Sequence, residues 1–289
     1  MKKIIITIGP SSFNKETIQK LEHAGVAIFR INMSHTQLEV FEKIVIQLQE
    51  WTSKTICLDT EGAQLRTGVL SGDGTLILEK YERIKFIFDA ESDGEIKQIP
   101  LNILPKRVLK QGDLIKIDFN SVVIQISEIF EEQVFGRVIV GGMIGTNKGV
   151  SVDREIRMPA FSEKDVAVFK KANELGLKTI ALSFASQGED IAKLRSYFDY
   201  EIEVISKVES KIALQNIDSI CRESNAILID RGDLSRDVPL EKIIFAQEFI
   251  IDKAKELNTP VYVATNLMEN MITNSKPTRA EVHDIVETV

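Results

Sequence analysis

A chain of 289 residues, 44% hydrophobic and 27% charged, can bury one large core and still form a smaller second domain. Its net charge of −7 and the lack of a basic stripe interleaved with aromatics argue against nucleic-acid binding, and no apolar run reaches membrane-spanning length. Two cysteines, Cys57 and Cys221, stand in apolar surroundings without a partner at metal-ligand spacing, as expected of buried thiols in a reducing, cytoplasmic protein.

Lys3 to Ile8 reads as a first strand rather than a signal peptide, because the apolar run is short and meets Gly9-Pro10. A helix carrying Ile18 and Leu21 follows and is expected to stop at Gly25. Val26 to Ile31 is a second strand. Leu38, Phe41, Ile44, Val45, Leu48 and Trp51 then share one helical face, the stripe of a helix packed on a sheet. Lys54 to Leu58 is a third strand. Short apolar strands alternating with helices predict a parallel sheet covered on both faces.

From Gly68 onward the texture changes. Thr75–Leu78, Ile84–Phe88, Leu114–Ile117, Val122–Ile126 and Val134–Val140 read as strands separated by turns, with no helical stripe of comparable strength between them. The expected organisation is a first barrel part over 1–67, an inserted β-rich lid over 68–150 and a second barrel part over 151–289. In that second part Ser162 and Asp165 form a short capping box, and strands follow at Thr179–Leu182, Glu203–Ile205, Ala226–Ile229 and Val261–Ala264. Seven parallel strands outside the insertion predict an α/β fold of the eight-stranded barrel type. The eighth strand is absent: the sequence ends inside the helix begun near Thr278. Because an open parallel edge is unfavourable, either truncation or a strand supplied from elsewhere is expected.

In such a barrel, functional groups gather at the carboxyl ends of the strands. Those ends carry Pro10; Arg30, Asn32, Ser34 and His35; Asp59 and Thr60, with Arg66 beyond; Ser183 and Phe184; Lys207 and Glu209; Asp233; and Thr265. Lys207 and Glu209 lie two apart on a strand and so share a face. Glu209 and Asp233 are candidate ligands for a hard divalent cation, with Lys207 and the arginines beside it for phosphoryl oxygens. Each residue has a plainer reading. Arg30 and Asp59 can form a structural ion pair, His35 a loop hydrogen bond, and Lys207 and Glu209 a pair with each other alone. Met268 and Met271 read as core packing.

The motifs together resemble pyruvate kinase. They are T-I-G-P-S-S at Thr7–Ser12, R-I-N-M-S-H at Arg30–His35, D-T-E-G-A-Q-L-R-T-G at Asp59–Gly68, N-K-G-V at Asn147–Val150, S-E-K-D at Ser162–Asp165, S-K-V-E at Ser206–Glu209, R-G-D-L at Arg231–Leu234 and P-T-R-A-E at Pro277–Glu281. The resemblance implies a (β/α)8 barrel with a lid inserted after the third strand. It also implies transfer of a phosphoryl group from phosphoenolpyruvate to ADP, giving pyruvate and ATP. Glu209 and Asp233 would bind Mg2+ or Mn2+, Lys207 would stabilise the phosphoryl group in flight, and Arg30 would contact it. Asn32, Ser34, Asp59 and Thr60 match the ligands of a monovalent cation, K+. Thr265 would sit near the protonated carbon, the Arg231-Gly232-Asp233 backbone would receive the substrate carboxylate, and Ser183 and Phe184 would also bind substrate. Arg30, His35, Arg66, Lys148 and Pro10 would serve the nucleotide. A homo-oligomer is one assembly the resemblance allows.

The chain also departs from the family pattern. Asp230 and Ser235 flank Arg231–Leu234 where the family has alanine and glycine, Gln64 replaces the carboxylate that accompanies potassium use, and Asn266 replaces glutamine. Ser151-Val152-Asp153-Arg154 replaces the usual hinge, and Asp118-Phe119-Asn120 replaces a lid turn. These changes leave two alternatives open. One is a divergent barrel enzyme acting on another 2-oxo acid or enolpyruvate-type substrate, as a lyase or as a kinase with an altered acceptor. The other is a non-catalytic or partial chain that needs a partner.

Overall fold

Seven parallel strands lie side by side in the order Ile4–Thr7, Val26–Asn32, Thr55–Asp59, Thr179–Leu182, Glu203–Val208, Ala226–Asp230, Val261–Ala264 in a computed structural model, which describes residues 2–88, 96–103, 105–118, 121–154, 156, 158–265 and 267–288. In the first part of this α/β unit, β1 (Ile4–Thr7), α1 (Lys15–His23), β2 (Val26–Asn32), α2 (Leu38–Trp51) and β3 (Thr55–Asp59) alternate as the sequence predicts. Asn14 caps α1 by accepting from the Thr17 amide, and Gly25, at φ +97°, makes the turn into β2.

A second compact unit, Ala63–Pro159, interrupts the first, which comprises Met1–Gly62 and Ala160–Val289. It holds β4 (Thr75–Leu78), β5 (Arg83–Ile87), β6 (Lys97–Pro100), the single turn α3 (Pro105–Val108), β7 (Leu114–Ile117), β8 (Val122–Phe130), β9 (Gln133–Val140), β10 (Gly142–Gly145) and β11 (Val150–Val152). A six-stranded sheet runs β11-β7-β8-β9-β5-β6, and β4 pairs with β10. The unit reaches beyond the 68–150 segment read from sequence. Bridges from Arg66 to Gly149 and from Thr67 to Leu101, and the pairing of β11 with β7, tie the flanking residues into it. It has its own core, including Ile84, Phe86, Ile115, Ile124 and Val138. The Phe119-Asn120 and Asn266 departures lie outside the described residues.

The first unit resumes with α4 (Glu163–Glu174), β12 (Thr179–Leu182), α5 (Gly188–Arg195), β13 (Glu203–Val208), α6 (Lys211–Gln215), α7 (Ile217–Glu223), β14 (Ala226–Asp230), α8 (Arg231–Leu234), α9 (Ile243–Glu256), β15 (Val261–Ala264) and α10 (Arg279–Thr288). The Ser162–Asp165 capping box forms as expected.

The two faces of the parallel sheet bury different residues. Phe29, Ile31, Leu58, Ile180, Leu182, Val204, Val208, Ile227 and Ile229 pack with the helices in the main core. Their alternates Ile28, Cys57, Ala181, Ile205, Ala226 and Leu228 form a smaller cluster on the opposite face. Two residues further along each strand, that second face changes from apolar to polar: Ile28 leads to Arg30, Cys57 to Asp59, Ala181 to Ser183, Ile205 to Lys207 and Leu228 to Asp230. The period of two therefore carries every one of these polar groups to one face at one end of the sheet.

Met271 departs from its expected place in the core. It is exposed, in a short 3-10 turn, and Met268 is half-buried with φ +57°.

Candidate active site

Lys207 is the centre of the polar layer. Its ammonium lies 2.8 Å from Glu209 Oε1, 3.3 Å from Asp59 Oδ1 and 3.7 Å from Asp230 Oδ2, and it donates to Ser183 Oγ at 3.1 Å. Lys207 and Glu209 therefore do not pair only with each other. Burial disfavours the ammonium, but Glu209, Asp59 and Asp230 outweigh it and hold Lys207 above its ordinary pKa. The three carboxylates thus favour its charged form.

Glu209 is buried next to it. Its Oε2 accepts from the Phe184 amide at 2.7 Å, whereas Oε1 has the Lys207 charge nearby but, among the described residues, no well-directed hydrogen-bond donor. Burial pushes the Glu209 carboxyl up to about 7, against the pull of Lys207 and with added repulsion from Asp230 and Asp233. Phe184 reaches this bond in a left-handed conformation, φ +53°. Gly62 makes room for its ring: a Cβ there would stand 2.8 Å from Phe184 Cδ2. Asp165 holds the loop, accepting from the amides of Glu61 at 2.8 Å and Gly62 at 3.0 Å. The i+3 cap of α4 thus also ties down the end of β3.

Arg30 and Asp59 form the ion pair that the plainer reading of these residues anticipates, at 3.6 Å, and Arg30 Nε has no hydrogen-bond acceptor among the described residues. Asn32 and Asp59 are neighbours in the β2–β3 ladder. Asn32 Oδ1 accepts from the Ser34 amide, Thr60 Oγ1 accepts from the Ser183 amide, and Ser183 donates to the Thr60 carbonyl. His35 is exposed, with its amide donating to the Asn32 carbonyl, and Pro10 is exposed. In the second unit, Arg66 donates to the Asn147 carbonyl and to Gln64 Oε1, and Lys148 pairs with Asp118 at 3.2 Å.

On the other side of Lys207, Asp230 caps α8. Its Oδ1 accepts from Thr265 Oγ1 at 2.5 Å and from the Asp233 amide at 3.4 Å. Burial would raise the Asp230 pKa, but Lys207, the bonds from Thr265 and Asp233, and Arg30 hold it below the usual range. One carboxylate oxygen each from Glu209, Asp230 and Asp233 lie within 4.8 Å of one another. Hard oxygen donors in this number fit Mg2+ or Mn2+ rather than a thiophilic metal, and Glu209, whose Oε1 lacks a well-directed donor among the described residues, is one of the three.

Two partners escaped the sequence reading. Arg236 pairs with Asp233 at 2.6 Å, and the i,i+3 spacing is the local signal for it. Arg231 makes a bidentate pair with Asp284, at 2.7 and 2.8 Å, and donates twice to the Thr265 carbonyl. No sequence signal links Arg231 to Asp284, since 53 residues separate them. A cavity of about 840 Å3, lined in part by Thr55, Thr179 and Glu203, opens at the amino ends of β3, β12 and β13, away from this constellation.

A family model described as "Pyruvate kinase, barrel domain" matches residues 1–289. The chain belongs to the pyruvate kinase family. It is similar to the pyruvate kinases of Methylorubrum extorquens, at 37% identity, and Thermococcus litoralis, at 32%, and to pyruvate kinase PKLR of Homo sapiens, at 31%. Each alignment covers 99% of this chain, which spans 61%, 62% and 53% of those relatives respectively. The barrel-type fold expected from the alternating elements is therefore that of the family. Among the described residues, no helix is long and apolar enough to cross a membrane.

Proposed function

We propose that this chain carries the metal-dependent phosphotransfer site of a pyruvate kinase, moving a phosphoryl group from phosphoenolpyruvate to ADP. The observation supporting this reading most directly is the grouping of a buried Lys207, its charged form favoured by the surrounding carboxylates, with Glu209 and Asp233. In the transfer, the bond from phosphorus to the enol oxygen breaks, a bond to the terminal oxygen of ADP forms, and the enolate carbon takes up a proton. Such a reaction needs positioning and charge neutralisation more than covalent help from the protein.

Glu209 and Asp233 would hold Mg2+ or Mn2+, which supplies Lewis-acid neutralisation of phosphoryl oxygens. Lys207 would turn its ammonium from the surrounding carboxylates to the phosphoryl oxygens, and Arg30 would add a second donor there. Arg231, fixed by Asp284, holds the Thr265 carbonyl and so orients the threonine beside the substrate carbon. In this reading Gly232 and Asp233 contribute backbone to the carboxylate pocket beside Ser183 and Phe184. Arg66, Lys148, His35 and Pro10 serve the nucleotide, and Asn32, Ser34, Asp59 and Thr60 serve a monovalent cation.

Asp230 favours a second reading, a divergent enzyme for another 2-oxo acid or enol, because it already occupies the Thr265 hydroxyl. Coupled appearance of pyruvate and ATP from phosphoenolpyruvate, ADP and Mg2+, abolished in Lys207→Met, tests the first reading. Absence of turnover with every common nucleoside diphosphate would reject it in favour of the second.

A further inference from the structure

We propose that Asp230 is a third carboxylate ligand of the divalent-cation site, so that the protein holds the ion before any anionic substrate arrives. This inference rests on the metal-dependent reading of Glu209 and Asp233. Its first support is the division of labour within the Asp230 carboxylate. Oδ1 accepts from both Thr265 Oγ1 and the Asp233 amide. Oδ2 has no hydrogen bond among the described residues, and its charge partner Lys207 stands off at 3.7 Å. One oxygen anchors the side chain and fixes its direction; the other is left to a cation, as in ligands oriented by outer partners.

The second support is Glu209, a buried carboxylate of the same group whose Oε1 has no well-directed donor among the described residues. The third is the balance of charge. Arg231 is matched by Asp284 and Asp233 by Arg236. What remains around the ammonium is Arg30 and Lys207 against Asp59, Glu209 and Asp230, an excess of negative charge. A free substrate anion enters against that field, whereas a divalent cation enters with it and reverses it. The expected consequence is tight ion binding without substrate, and dependence of anion binding on the ion.

Titrating the full chain with Mn2+, without substrate or nucleotide, and reading free Mn2+ by electron paramagnetic resonance tests this. Asp230→Asn, which keeps the cap, and Asp230→Ala are each expected to weaken Mn2+ binding at least ten-fold. Water-proton relaxation by the bound ion is expected to rise as a water takes the vacated position. Mn2+ affinity within two-fold of wild type in both variants, or tighter, would overturn the proposal and leave Asp230 as an internal partner of Lys207 and Thr265. If Glu209→Gln and Asp233→Asn lose Mn2+ while both Asp230 variants keep it, this inference fails and the metal reading stands. If the wild-type chain takes up no Mn2+, both fail.

Discussion

Replacing Lys207 with methionine removes one charge and almost no volume, which makes it the sharpest probe of the polar layer. Three carboxylates surround the ammonium, at 2.8, 3.3 and 3.7 Å, and those of Glu209 and Asp59 are buried. At an effective dielectric near 20, each pair is worth about 4–6 kcal/mol of Coulomb energy before desolvation is subtracted. Exchanging a whole buried ion pair for apolar groups can be neutral, but here the anions stay behind, and breaking a buried pair costs about 3–5 kcal/mol. The deficit grows as pH rises through 7. Burial already holds the Glu209 carboxyl near that value, and its ionised form lacks a cation in the variant. The single tryptophan, Trp51, lies in α2 and packs against Phe13 in the same unit, so its fluorescence reports unfolding there. With a urea slope of about 3 kcal/mol/M, the midpoint at pH 8 is expected to fall by about 1–2 M. A midpoint equal to or above that of wild type would refute the view that Lys207 is the cation holding these carboxylates in place.

Gly62→Ala places a Cβ 2.8 Å from the Phe184 ring at φ +77°, so a loss of about 1–3 kcal/mol and weaker Mn2+ binding through the Phe184–Glu209 bond are expected in urea and Mn2+ titrations. Gly232→Ala meets Thr265 Cγ2 at 2.8 Å, and a fall in turnover with little change in the Trp51 unfolding midpoint is the expected signature. Asp284→Asn frees Arg231 from its bidentate partner and should lower kcat more than it weakens Mn2+ binding, measured by coupled assay and Mn2+ titration side by side. Burial pushes Cys57 up to about 12, with Asp59 adding to the shift, so its folded thiol stays protonated where an unfolded one ionises. Labelling of Cys57 by a disulfide reagent at pH 9 is therefore expected to track unfolding in urea, and stability to fall as pH rises above 9.

Strand and helix alternation was legible because the signals are local. The stripe on α2, the capping box at Ser162 and the apolar runs of β12 and β15 each lie within one element. The second unit's strands at Lys97–Pro100, Gly142–Gly145 and Val150–Val152 were not, because none carries a continuous apolar run of its own and each is set by its pairing partner. Lys207 and Glu209 were legible by their spacing, and so was the open question set by the extra carboxylate at Asp230. Its resolution was not: the capping bond to Asp233 is local, but the bond from Thr265 arises only when β14 and β15 pair. Asp165 is a similar case. Its capping role is written in four consecutive residues, while its hold on the Glu61 and Gly62 amides crosses more than a hundred.

Backbone strain gives an independent reason to place chemistry at this end of the sheet. In the parallel-sheet unit, the described non-glycine residues with positive φ are Phe184, Asn258, Thr265 and Met268. Asn258 follows a helix, where asparagine tolerates that conformation. Thr265 is β-branched and sits at φ +73°, a conformation that costs on the order of 1–3 kcal/mol, and Phe184 is bulky at φ +53°. Both directly follow strands or their first exit residue, and each is held by the site itself: Phe184 by the Glu209 carboxylate, Thr265 by Arg231 on its carbonyl and Asp230 on its hydroxyl. A fold selected for stability alone would relax both turns with glycine and fill the Lys207 pocket with apolar side chains. Retaining two strained turns and an excess of negative charge around a buried ammonium is consistent instead with a site shaped to receive a cation and an anion together.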